Sequence, residues 1–297
     1  MRLFALLTAV FLATTVHAQT PAEAEAANPA EAFVATLKFQ DGTVNLPQAK
    51  ATLTLPQGFR FLDAADAERV LSELWGNPPG SEAIGMLVPA ATSLADAEAS
   101  WAIVLQYDDD GYVSDEDAKD IDYGEMLVDM KEEASASNEE RQQQGFGAVE
   151  LVGWAETPRY DAAAHKLHWA KEIAFEGEDA HTLNYDVRVL GRHGVLVMRA
   201  VASIGQLASI KPGMSEAIAA VEFDQGARYA DFNPDSDRTA EYGLAALVAG
   251  GVAAKSGLLT KLLALLFAAK KLVIAGVAAI GYGIMKVFGK KKDAGAG

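Results

Sequence analysis

This chain predicts an α+β domain, a mainly antiparallel sheet with packed helices, followed by a C-terminal helical membrane segment. Three observations carry that expectation. Short runs alternating apolar and polar residues cluster before residue 108 and again after residue 147, set apart by turn signals. Two stretches with helical periodicity interrupt them, giving the order strands, helix, strands, helix. Beyond residue 241 the composition turns to Ala, Gly and Leu studded with lysines.

From the start, residues 1–18 hold Arg2, an apolar run from Leu3 to Val16, and Val16 and Ala18 at the positions a signal peptidase reads. They read as a cleaved secretory signal with Gln19 as the mature N-terminus. Residues 19–32, rich in Ala, Glu and Pro, have little to bury and read as a flexible leader. The periplasmic α+β domain is expected over 33–223. Residues 34–39, 43–46 and 51–55 alternate as strands around the turns Asp41-Gly42 and Pro47-Gln48. Asp63 is placed to cap a helix over 64–75, with Ala67, Val70, Leu71 and Leu74 on one face, and the Trp-Gly-Asn-Pro-Pro-Gly run at 75–80 stops it. Residues 84–88 and 101–107 read as further strands, the second nearly all apolar and so central.

Between Asp108 and Glu140 fourteen carboxylates stand against Lys119 and Lys131 alone, which makes this the most acidic surface of the chain. Ile121, Leu127 and Met130 give much of it helical spacing, with Gly124 a weak point and an end near Gly145. A four-strand meander follows at 148–155, 166–175, 183–190 and 195–202, with Gly191-Arg192-His193-Gly194 as a tight hairpin. A helix interrupted by Pro212 covers 204–221, and residues 224–241 read as an acidic linker.

Residues 242–292 are expected to associate with a membrane. Lys255, Lys261, Lys270, Lys271 and Lys286 divide them into uncharged runs at 242–254, 262–269 and 272–285, each shorter than the roughly 18 apolar residues of a simple span. A lysine near a helix end can carry its amine to the headgroups, whereas one at mid-bilayer costs about 2.5–3.5 kcal/mol. Two layouts survive: one span over 272–288 preceded by an interfacial helix, or a hairpin turning at Lys270 and Lys271. The single span is preferred, because it leaves Lys290, Lys291 and Lys292 and the tail 293–297 in the cytoplasm. Small residues recur at Ala246, Gly250 and Ala254 and at Ala275, Ala279 and Gly283, a spacing that permits close helix pairing or self-association.

Charge and cysteine usage narrow the function classes. The chain carries −16; the region from Tyr242 holds eight lysines and one aspartate, and residues 1–18 hold one arginine, so Gln19–Glu241 carries −24. Such a domain as a whole repels nucleic acid and anionic lipid surfaces. With no cysteine, thiol catalysis and thiolate metal sites are excluded and the exported domain relies on its core, which suits a bacterial periplasm at the inner membrane.

The strongest-looking motif is acidic. Asp108, Asp110, Gly111, Ser114 and Asp117 fall at the spacing of a calcium loop, although Gln106 stands at the first ligand position and Asp117 replaces the usual glutamate. The simpler reading is a solvated turn in which Ser114 and Asp117 form a capping box. No cofactor is assigned, and calcium at this loop is the candidate kept beside the capping reading. A second ladder, Asp231, Asn233, Asp235 and Asp237, reads as polar linker. His165 and His168 sit three apart on a strand, hence on opposite faces, and cannot chelate together. Trp154 and Trp169 read as core. Lys171 shares the apolar face of Leu167, Trp169 and Ile173, so it needs a carboxylate partner, for which Asp186 and Glu150 are the candidates. No GxSxG elbow, HExxH motif or dinucleotide glycine fingerprint is present, and no catalytic residue is assigned.

The segments 75–80, 107–118 (Tyr, three Asp, Gly, Tyr, Val, Ser, Asp, Glu, Asp, Ala), 167–172 and 242–251 together resemble a family of uncharacterised bacterial membrane-anchored proteins, domain of unknown function 2167. The resemblance covers nearly all of the mature chain. It implies an envelope protein with a C-terminal membrane segment and brings no ligand or catalytic residue with it. The expected function is therefore a non-enzymatic interaction or scaffolding module of the envelope, with the lipid bilayer and a basic protein segment as partners. The alternative is a carboxylate-dependent hydrolase of envelope material using Asp108, Asp110, Glu116 or Glu156, which requires those carboxylates to converge.

Overall fold

The computed structural model describes residues 28–250, apart from 78, 97, 98 and 144. The expected signal (1–18), residues 19–27 of the leader, the span at 272–288 and the tail 293–297 lie outside the described residues.

The chain enters through α1 (Pro29–Val34), which Asn28 caps and Pro29 opens. This corrects the strand expected over 34–39. Phe33, Val34, Leu37 and Phe39 pack as a cluster with Ala67, Val70 and Leu71 instead of extending along a sheet. Strands β1 (Thr43–Leu46) and β2 (Ala51–Thr54) form the expected hairpin, and β3 (Phe59–Asp63) follows where no strand was expected. Asp63 accepts the amide of Asp66 at 3.0 Å and so caps α2 (Ala64–Arg69), which runs on as a π-helical turn, Val70–Leu74. Then come β4 (Gly85–Pro89), β5 (Ile103–Asp108), α3 (Tyr123–Ala136) and α4 (Asn138–Gln143). The expected meander follows as β6 (Val149–Asp161), β7 (Lys166–Phe175), β8 (Thr182–Leu190) and β9 (Val195–Ser203). Helix α5 (Leu207–Ala220), β10 (Val221–Phe223) and α6 (Leu244–Ala249) complete the described fold.

Among the described residues the named strands all pair antiparallel, in a seven-stranded sheet of order β3-β4-β5-β9-β8-β7-β6 and a small sheet β1-β2-β10. The α+β class stands. One face of the large sheet presents Ile103, Leu105, Val187, Val189, Leu196 and Met198 to Ile210, Met214 and Ala217 of α5 and to the small sheet, and this is the main core. The other face is covered in three places. Helix α2 covers Leu62, Met86 and Val88, α6 covers Leu167, Trp169, Leu190 and Val195, and α3 brings Leu127 and Met130 over Leu151 and Ile173. β8 lies near the middle and is buried along its whole length, so both of its faces meet protein.

Residues 224–241, read from composition as a linker, are folded onto the domain: Tyr229 is buried in the same cluster as α6, and Asp237 pairs with Arg192. Among the described residues no helix is long and apolar enough to cross a membrane.

Candidate functional site

Two clusters of charge lie on the α6 side of the large sheet. The first is built from the acidic loop after β5. Asp110 accepts the hydroxyl of Tyr242 at 2.6 Å, and Asp117 accepts the amides of Leu244 and Ala245 at 3.1 and 3.0 Å. Gly243, the residue before α6, has no side chain to cap it, so Asp117 supplies the missing acceptor from 127 residues away. Asp115 accepts the Tyr160 hydroxyl at 2.7 Å, and Arg238 donates to the carbonyl of Asp109. The two backbones also pair directly, Tyr112 N–H to Arg238 carbonyl and Ala240 N–H to Tyr112 carbonyl, both at 2.8 Å. Glycine is required at this seam. Gly111 has φ +99°, and a Cβ there would stand 2.5 Å from the Arg238 carbonyl oxygen.

The segment leading into α6 is fastened further by stacked rings. Phe232, Tyr112, Tyr229 and His165 follow one another with centroid separations of 3.8, 4.4 and 4.2 Å. Arg192 grips Asp237 through two hydrogen bonds, 2.7 and 3.0 Å, which hold that carboxyl well below the usual range. The second acidic ladder is local turn structure. Asp231 accepts the amides of Gly226 and Arg228, and Asn233 accepts that of Asp235.

The carboxylates of the calcium reading therefore point to different protein partners. Asp110 serves Tyr242, Asp117 serves α6, Ser114 accepts the amide of Glu116, and Asp108 interacts electrostatically with Arg188. Among the described residues no group of three or more His, Asp or Glu is placed to hold a metal.

The second cluster is a polar strip across β7, β8, β9 and β5. Asp186 is its centre. Its Oδ1 accepts Nε of Arg199 on the neighbouring strand at 2.9 Å and Nη1 of Arg188 at 3.2 Å. Across the β7–β8 ladder Trp169 stands opposite Asp186 and Lys171 opposite Asn184. Burial pushes the Asp186 carboxyl up, but Arg199, Arg188 and Lys171 outweigh it and hold the group far below its usual range. Lys171, expected from sequence to be buried, is only half-buried; Asp186 is the carboxylate that acts on it, while Glu150 of β6 is exposed opposite Ala174. Burial lowers the Lys171 pKa, with Asp186 opposing and the two arginines adding to the fall.

A sequence model described as a protein of unknown function (DUF2167) matches residues 38–281, which include the acidic loop, the strip and α6. The chain belongs to the DUF2167 family. No curated protein matches it in sequence. Among solved structures it is similar to cyanobacterial PsbP (CyanoP) from Synechocystis sp. PCC 6803, at 9% identity and TM-score 0.35, covering 64% of this chain and 94% of that one. It is also similar to the Ran-binding protein Mog1p of Saccharomyces cerevisiae, at 10% identity and TM-score 0.35, covering 67% and 100%. LpqN, involved in cell envelope biogenesis of Mycobacterium tuberculosis, is similar at 13% identity and TM-score 0.31, covering 64% and 93%.

On the α5 side of the DUF2167 sheet a third polar group gathers at Glu156. Register breaks in β6 on either side of this residue turn it toward β8. Its Oε2 accepts the Tyr185 hydroxyl at 3.1 Å and lies 3.2 Å from Nζ of Lys211, and its Oε1 lies 3.6 Å from Nε2 of His168. Burial lowers the pKa of His168 and raises that of Tyr185. Glu156 is thus on the opposite face of the sheet from Asp108 and Asp110, and the carboxylates of the hydrolase reading are not brought together. His165 and His168 are separated as expected, one with Tyr160 and the other with Glu156. Trp169 is core, and Trp154 is half-buried and donates to the Tyr123 carbonyl at 3.0 Å. Sequence reasoning did not single out Arg188, Arg199 or Tyr185. The signal was present in the alternation of Asn184, Asp186 and Arg188 along one strand.

Proposed function

We propose that this DUF2167 protein is a membrane-anchored interaction module of the bacterial envelope, with its domain in the periplasm. The observation that carries the reading is the clamp on residues 228–245. Asp110, Asp115 and Asp117 are spent on ties that fix where α6 leaves the domain, and the apolar, lysine-studded residues begin directly after α6. A domain held this tightly at the base of its anchor is presented to partners in a fixed orientation, with little ordering left to oppose binding. The surface offered is α3, whose exposed Glu125, Asp129, Glu132 and Glu133 accompany Val128, 54% exposed. Its complement is a basic segment with an apolar residue.

Cell fractionation tests the anchor. The full chain is expected in membranes with Gln19 at its N-terminus by mass spectrometry, and a chain ending at Gly250 in the soluble periplasmic fraction. Full-length protein in the cytosol still beginning at Met1 would overturn this. For the surface, a photo-crosslinker at Val128 is expected to give one discrete adduct that is lost on charge reversal at Glu125 and Asp129. Absence of that adduct in intact cells would remove the interaction half of the reading.

A further inference from the structure

We propose that the polar strip around Asp186 binds a phosphate group. The inference goes beyond the anchoring reading and does not depend on it. Its first support is an excess of unspent donors. Arg199 contacts Asp186 through Nε alone, so both of its terminal nitrogens lack a partner among the described residues. Arg188 reaches Asp186 through Nη1, which also donates to the Val187 carbonyl, and its guanidinium lies over the Trp169 ring. Its remaining nitrogens make no hydrogen bond to protein among the described residues. Lys171 makes no hydrogen bond or contact ion pair there, and the indole N–H of Trp169 is buried without a partner. Three cations thus surround one carboxylate, and Asp108, which acts electrostatically on Arg188 and Arg199, is aligned with Val195 at the far end of the strip from Lys171. The surplus of positive charge falls at the Lys171 end.

The second support is the kind of group that would complete this arrangement. Unpaired buried polar atoms are rare, because each forfeits hydration without replacement. Two of them, Trp169 Nε1 and Asn184 Oδ1, lie on adjacent strands in the register that also aligns Lys171 with Asn184 and Trp169 with Asp186. A phosphate group presents several acceptors to the indole, ammonium and guanidinium, and its P–O–H can donate to the Asn184 carbonyl. Arginine terminal nitrogens suit such an oxyanion as a fork, and lysine suits it as a point charge. The strip is reachable: the Arg199 side chain is 18% exposed, and Val201, two residues on along the same face, is 38% exposed. The domain's charge of −24 opposes polyanions at long range, so the ligand is a single phosphate, either free or on a lipid headgroup.

Titration of the full chain in a nonionic detergent tests this. Calorimetry with potassium phosphate is expected to show saturable binding and a raised unfolding temperature, with no such response to potassium chloride at equal ionic strength. Lys171→Met is expected to weaken phosphate binding by about tenfold or more. Lys211→Met, on the other face, should leave binding unchanged. Displacement of phosphate by a short-chain phosphatidic acid would support the site and identify a headgroup as its ligand, whereas binding of inorganic phosphate alone would support it as a site for the free ion. An equal response to chloride or full affinity in Lys171→Met would overturn the proposal.

Discussion

The acidic loop and the Asp186 strip lie on the same side of one sheet, and they handle charge in opposite ways. In the loop carboxylates far outnumber cations, yet Asp110, Asp115 and Asp117 are satisfied, because backbone amides and tyrosine hydroxyls supply the donors. In the strip cations outnumber the carboxylate, and donors on Arg199, Lys171 and Trp169 remain unspent. The difference teaches that local charge density does not mark a binding site. A saturated cluster is a fastening, however acidic, whereas an unsaturated one retains interaction energy for something else.

The comparison breaks most readily at Asp186. Asp186→Asn keeps the shape but leaves Arg188, Arg199 and Lys171 without their counter-charge, and the expected loss in denaturant unfolding is about 3–5 kcal/mol. The pH dependence gives an independent reading. The folded pKa of Asp186 is depressed below the unfolded value of about 3.9, so its contribution is present above that pH and is lost as pH falls through the folded pKa. The variant should therefore lose less stability than the parent on acidification below about pH 4. Equal acid limbs would mean that Asp186 does not hold the cations.

A smaller effect is expected at the loop. Asp117→Ala removes the side-chain acceptor of the first amides of α6, a change worth about 1–2 kcal/mol for a helix cap. Because α6 is one helix of six residues, the loss should be local. Hydrogen exchange at Leu244 and Ala245 should accelerate while amides of β8 keep their protection. Unchanged exchange at those two amides would show that the cap does not fasten the segment.

How much of this was legible in the sequence differs between the two regions. The meander was legible because its turns are marked and its strands are β-branched, and strand parity put Lys171 on the face of Leu167, Trp169 and Ile173, with Asp186 and Glu150 as its candidate partners. Arg188 and Arg199 were not singled out, because strands buried on both faces lose the inside–outside contrast that makes a polar residue conspicuous. The role of Asp117 was illegible for a different reason: its partners are 127 and 128 residues away, and no local pattern encodes a cap supplied from elsewhere in the chain. Local spacing pointed instead to a capping box with Ser114, with calcium as the alternative. At the N-terminus the apolar alternation of 34–39 imitated a strand, while Asn28 and Pro29 had already set a helix.

The smallest expected effect sharpens the comparison by asking whether the clamp is a sum of ordinary ties. Tyr242→Phe deletes one hydroxyl, and Asp110, which is partly exposed, can take a water in its place, so the loss at neutral pH should be near 0.5–1.5 kcal/mol, roughly one hydrogen bond. The phenol's pKa is raised by burial and by its hydrogen bond to the Asp110 carboxylate, so the folded state favours the neutral form. Its contribution is therefore complete below the unfolded pKa of about 10 and is lost as pH rises toward the folded value. Tyr160 and Tyr229 are shifted in the same direction, but both are present in parent and variant and cancel from the difference between them. The unfolding free energies of the two proteins should thus be separated at neutral pH and draw together above about pH 10. A gap that stays constant through that range would mean that the Tyr242 hydroxyl is not bonded to Asp110, and the loop would then hold its segment through the Asp117 cap and the backbone pairing alone.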